Sequence, residues 1–162
     1  MQRLKIYIIV MAAKLLEQLR GMQGTVIDDS RSPAGNWLKP RLEEIEKGRV
    51  VMSVLIRREM CNPFGNIHGG MMSLVIDEAI GWAIVSLEAE LHYTSVSLHT
   101  DFLYAASEGE RITAVAEIIR QGKKIINAEV KVYNERNALL SKATSNLVST
   151  GMQILHTQGG LK

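Results

Sequence analysis

The chain has 162 residues, 19 basic and 17 acidic, for a net charge of +2, and a single cysteine, Cys61. That length is expected of one domain with its own core. Scattered basic residues in so small an excess leave no footprint for nucleic acid, though they suit a ligand carrying a few phosphates. A lone cysteine excludes an internal disulfide framework and a multi-cysteine zinc site, and it fits a reducing, cytoplasmic setting.

The first residues pair a basic start (Arg3, Lys5) with an apolar run from Ile6 to Ala13, faintly like a signal peptide. The run breaks at Lys14 and continues with Leu15, Leu16 and Leu19 at helical spacing, so an amphipathic helix from about Ile6 to Arg20 is the preferred reading, stopped by Gly21. From Gly21 to Pro40 the composition turns to Gly, Asp, Ser, Pro and Asn, which predicts a loop or linker with Trp37 and Leu38 anchoring its end. From Gly48 the period becomes two. Val50, Met52, Val54 and Ile56 form one face of a half-buried strand, with Arg49, Ser53 and Arg57 mostly on the other.

Asn62-Pro-Phe-Gly-Asn-Ile-His-Gly-Gly follows, a tight turn feeding a helix that runs to about Glu88. That helix is apolar on nearly every side, the mark of a buried element, yet it carries Asp77 at its middle. A buried carboxylate is costly unless it is paired or functional. Strands are then expected over residues 94–104, 111–121, 124–133 and 139–150, joined by Ser107-Glu-Gly-Glu, Gln121-Gly and Asn134-Glu-Arg-Asn. Four strands with short joints predict an antiparallel meander. The simplest burial for the helix is a sheet curled around it, giving an α+β fold. The divisions are an N-terminal helix and linker over 1–40, the main domain over 41–152 and a tail over 153–162. No stretch approaches the roughly 18 apolar residues of a membrane span.

Gly69 and Gly70 stand where the turn becomes the helix, so their N–H groups belong to the unpaired set at a helix start. With the helix dipole behind them they favour negative charge and can polarise a carbonyl oxygen, although a Gly-Gly at that position also serves as a plain turn. Asp77 lies seven residues beyond Gly70, about 10 Å along the axis. Two copies with antiparallel central helices would bring the amide of one to the acid of the other, which points to a dimer with paired shared sites. Ser73, Asp77 and Gly81 recur every four residues as a small or polar stripe open to a neighbour or ligand. The plainer alternative for Asp77 is a local hydrogen-bond network or a pairing with Arg57. Glu78 is the competing acid, turned about 100° away.

His68 suits a base or an orienting residue; no partner at metal-ligand spacing supports a metal. Period two puts His99 and Asp101 on one face with Ser95 and Ser97, a face that is exposed or lines a pocket. Cys61 reads as a small buried side chain rather than a nucleophile. Lys123 and Lys124 form a solvated turn or meet ligand phosphates. The glycines match neither a Walker loop nor a dinucleotide fingerprint.

The combination Asn62-x-x-Gly65-x-x-His68-Gly69-Gly70, with an acid nine residues after the histidine, resembles the hotdog-fold acyl-coenzyme A thioesterases of the phenylacetate-degradation (PaaI-like) type. The resemblance runs from about Gly48 to Gly151. It implies a hotdog fold, a sheet wrapped around a long central helix, and hydrolysis of an acyl-CoA by a dimer or dimer of dimers. No cofactor is implied beyond the coenzyme A of the substrate. By position it implies that Asp77 is the catalytic base or nucleophile and that Gly69 or Gly70 of the partner subunit supplies the polarising amide. His68 and Asn62 would orient the thioester or the water, Ser95 would stand near that water, and Lys123 would lie near coenzyme A phosphates. Where relatives often have proline after the first meander strand this chain has Tyr104-Ala105-Ala106, and His99 replaces a frequent asparagine, which leaves the acyl preference open. The competing functions are a hotdog dehydratase, whose histidine and acid pair differently, and a non-catalytic acyl-CoA sensor, which has no need of Asp77 on the stripe.

Overall fold

The computed structural model describes residues 15–154, so the expected helix before Leu15 and the tail beyond Ile154 lie outside the described residues. Residues 15–21 are helical (α1), and Leu19 is buried in the core. The stretch expected to be a loop contains a short helix, α2 (Pro33–Leu38). Ser32 caps it, Oγ accepting from Gly35 N–H at 3.0 Å, and Pro33 fills the first turn, where its missing N–H costs nothing.

Six strands follow: β1 (Arg41–Glu46), β2 (Arg49–Leu55), β3 (Leu91–Phe102), β4 (Arg111–Gln121), β5 (Ile125–Asn134) and β6 (Leu139–Gln153). The long helix α3 (Gly69–Ser86) lies between β2 and β3 in the chain. β1 is an addition to the expected set. Only Leu42 and Ile45 of its residues are buried, three apart, because the register slips between Leu42 and Glu44. The slip erases the period-two signature on which a strand is recognised.

All six strands form one antiparallel sheet in the order β1-β2-β4-β5-β6-β3. This corrects the four-strand meander: β4, β5 and β6 do follow one another, but β3 pairs with β6 at the far edge and not with β4. The reason lies in the joints. Residues 122–124 and 135–138 make tight turns, whereas residues 103–110 are long enough to cross the sheet end. On the way, Ala106 O accepts from Ile67 N–H (2.8 Å) and Ser107 bridges Asn66, so the crossing chain braces the turn that starts α3.

The sheet wraps α3, as expected of a hotdog fold, and α3 packs on β2, β4 and β5. Met72, Val75, Ile76, Ala79, Ile80 and Ala83 are the buried face. Opposite them, Ala114, Ala116, Ala128, Ala143, Ser141 and Ser145 keep the sheet surface shallow enough for the helix to sit close. The two serines donate to β3 carbonyls, Ser141 to Asp101 O and Ser145 to Ser97 O, both at 2.8 Å, so neither hydroxyl is left unpaired.

A second cover explains why α3 is greasy on more than one side. The α2 segment lies on it. Glu78 accepts from Ser32 Oγ (2.9 Å) and from Trp82 Nε1 (3.0 Å). Arg57 closes the end of α2 by donating to Trp37 O (2.8 Å) and Leu38 O (2.9 Å), with its guanidinium 4.8 Å from the Trp37 ring centre. By length and composition alone α3 could cross a membrane, contrary to the sequence expectation, but half of it is buried inside the molecule, as in a core helix.

Candidate active site

The turn before α3 is built by Asn62, whose Oδ1 accepts from Phe64 N–H (2.9 Å) and Asn66 N–H (3.2 Å). Gly65 completes it at φ +78°, a conformation that side chains resist. His68 is the N-cap of α3: its Nδ1 accepts from Gly70 N–H at 2.9 Å, which makes the neutral ring with the proton on Nε2 the form that caps. Gly70 is therefore already satisfied. Among the described residues the Gly69 N–H meets no acceptor, so of the two candidate amides it is the one open to a ligand. The ring of Phe102, from β3, lies over Gly69, 3.3 Å from where a Cβ would stand.

Asp77 is not buried. It stands exposed on a flank of α3, together with exposed Gly70 and Gly81 and half-buried Ser73. Ser95 Oγ donates to Asp77 Oδ1 at 3.1 Å. The contact depends on a β-bulge. β3 slips register on β6 between Ser95 and Ser97, so Ser95 is in line with buried Leu147, while Ser97, His99 and Asp101 are in line with exposed Asn146, Thr144 and Lys142. Period two placed all four on one face; the bulge turns Ser95 inward, toward the helix, leaves His99 and Asp101 exposed, and leaves Ser97 half-buried with its Oγ accepting from Asn146 at 3.3 Å. Asp101 meets Lys142 at 3.3 Å, and His99 is exposed.

The site residues therefore form two groups on one chain. Gly70, Ser73, Asp77, Ser95 and Ser97 surround an open cleft of about 500 Å³ between α3 and β3. Asn62, Gly69, Met72, Phe102 and Tyr104 surround a second of about 350 Å³ at the helix start. Lys123 joins neither. It is exposed in the β4–β5 turn, where its carbonyl accepts from the Tyr93 hydroxyl at 3.3 Å. Arg57 is committed to α2 and Glu59 and does not pair with Asp77. Glu78 is committed to the α2 contact. Cys61 is half-buried, its thiol 3.5 Å from Arg57 O. Among the described residues no three His, Cys, Asp or Glu side chains converge as metal ligands. Phe102 was not legible as part of a site, because only the bulge puts it on the same face as Ser95.

Comparison with known proteins bears on the family and the fold. The family model for the thioesterase superfamily matches residues 64–141. The 1,4-dihydroxy-2-naphthoyl-CoA hydrolase of Listeria monocytogenes is 31% identical over 98 residues, covering 59% of this chain and 78% of that protein. Human acyl-coenzyme A thioesterase 13 is 27% identical over 109 residues, 67% of this chain and 73% of that one. In three dimensions the Escherichia coli PaaI protein from the phenylacetic acid degradation operon superposes with a TM-score of 0.74 over 90% of this chain and 97% of that one, at 19% identity, a likeness of fold.

Proposed function

The chain belongs to the thioesterase superfamily, and from that premise we propose that it hydrolyses the thioester bond of an acyl- or aryl-acyl-coenzyme A to the free acid and the thiol. The observation that carries this reading is the exposed Asp77 carboxylate held by Ser95 at 3.1 Å, on the same helix whose first amide, that of Gly69, is open. The two relatives named for coenzyme A thioesters support it. The substrate would bring its own coenzyme A, with Lys123 near the phosphates. A reducing, cytoplasmic setting suits the lone Cys61.

Gly69 and Asp77 are eight residues apart, roughly 12 Å along the helix axis. One chain cannot bring both to one carbonyl, so the working unit is a pair of copies with antiparallel α3 helices, each site taking its amide from one copy and its acid from the other. An exposed edge strand as long as β3, with Val96, Leu98 and Phe102 along it, supports such pairing, since bare sheet edges recruit partners.

In the hydrolytic step Asp77 takes a proton from water as its oxygen bonds to the carbonyl carbon. The C=O electron pair moves to oxygen, where the Gly69 N–H and the dipole of α3 receive the charge. The carbonyl then re-forms, the C–S bond breaks and the thiolate leaves with little need of an acid. Attack by Asp77 itself, through an anhydride that water then opens, uses the same geometry. Replacing Asp77→Asn removes either role while preserving shape. Thiol release from a panel of acyl-CoAs is expected to drop about 100-fold or more with the oligomer intact; a variant as fast as the wild type would overturn the assignment.

A further inference from the structure

We propose that Phe102 is a specificity-determining residue, the wall that makes the cleft at the α3 start select apolar acyl groups. The inference rests on the thioesterase reading and sharpens it to a substrate class. Its basis is the placement of one side chain. Phe102 is 56% exposed although it lies on the inner face of β3, in line with buried Ser141 and Val132. Its ring covers the backbone of Gly69, the residue with the open amide, with ring atoms at 3.3, 3.4 and 3.8 Å from the Cβ position. A carbonyl oxygen that accepts from the Gly69 N–H brings its first acyl carbons against that ring.

The rest of the cleft fits the same class of group. Ile67, Met72, Leu103 and Ala105 complete the wall with Phe102 and Tyr104. The polar lining offers donors: Asn62 Oδ1 is spent on the turn, and Asn66 Oδ1 accepts from Ser107 Oγ at 3.2 Å. That leaves their amide N–H groups for an acceptor such as the thioester oxygen. The pantetheine arm, which carries two amides, would find the hydroxyls of Ser73 and Ser95 in the other cleft instead. At about 350 Å³ the apolar cleft is at the small end of ligand pockets. A medium-length chain or a phenyl-bearing acyl group matches it.

The test compares acetyl-, octanoyl- and phenylacetyl-CoA as substrates of the wild type, Phe102→Ala and Phe102→Leu. The wild type is expected to favour the two larger acyl groups by kcat/KM. In Phe102→Ala their advantage over acetyl-CoA is expected to shrink about tenfold or more, and Phe102→Leu is expected to restore most of it for octanoyl-CoA. An unchanged ratio, or an equal loss for all three, would overturn the assignment. If the wild type releases no thiol from any of them, the thioesterase reading has failed, and binding decides the subsite by itself. Octanoyl-CoA is then expected to bind the wild type at least fivefold more tightly than coenzyme A, with the gap lost in Phe102→Ala; equal affinities in the wild type would refute it.

Discussion

Asp77, the acid proposed to act on the thioester, stands in the open rather than buried. The surrounding helix is apolar, which made the carboxylate look enclosed, yet its flank is open and, among the described residues, its one side-chain hydrogen bond is from the Ser95 hydroxyl at 3.1 Å. That hydroxyl fixes the carboxylate's direction. Ser95→Ala is therefore expected to leave the circular dichroism spectrum unchanged and lower kcat about tenfold, the scale of one hydrogen bond to a charged group; an undiminished kcat would show that Asp77 needs no such restraint. At this scale the motif residues were legible, because a Gly-Gly at a helix start and an acid nine residues after a histidine are local spacings. The directions of β3 side chains were not. A bulge at Val96 reverses inside and outside between Ser95 and Ser97, and nothing in alternating polar residues marks where it falls.

Among the elements, α3 was the most visible in sequence and α2 and β1 the least. α2 spans six residues with a glycine and an asparagine inside, too short to hold itself. It exists through tertiary contacts: Ser32 and Gly35 against Glu78, and Arg57 on the carbonyls of Trp37 and Leu38. The acid next to Asp77 is thereby explained as the anchor of this cover. Gly35 is required for it, since a methyl there would overlap the Glu78 carboxylate, which two hydrogen bonds hold in place. Gly35→Ala is expected to cost about 1–3 kcal/mol in urea unfolding. A midpoint equal to that of the wild type would mean that α2 is dispensable to the fold. β1 escaped detection for the opposite reason, being a genuine strand whose register slip and four charged residues of six hide its period.

At the level of the whole molecule, the sheet order places β3 at an edge with little of the chain against it. Val96 is 59% exposed and Tyr104 71%, and residues of β3 line both clefts. The wrap of sheet around helix was readable from apolar periodicity. The edge position of β3 was not, because sequence neighbours default to hairpins and only the eight-residue crossing at 103–110 allows another pairing. Under the proposed function each site draws Gly69 from one copy and Asp77 from another, and complementation between two inactive variants tests that sharing. Gly69→Pro deletes the amide hydrogen at the first helical position, where proline is tolerated, and His68 already has the extended backbone (φ −68°, ψ 139°) that a following proline demands. Alone, Gly69→Pro and Asp77→Asn are each expected to be nearly inactive. Refolded together in equal amounts, their mixed dimers hold one intact site each, and the mixture is expected to recover roughly a quarter of wild-type thiol release under random pairing. Mixed dimers seen by mass spectrometry without recovered activity would contradict the shared site.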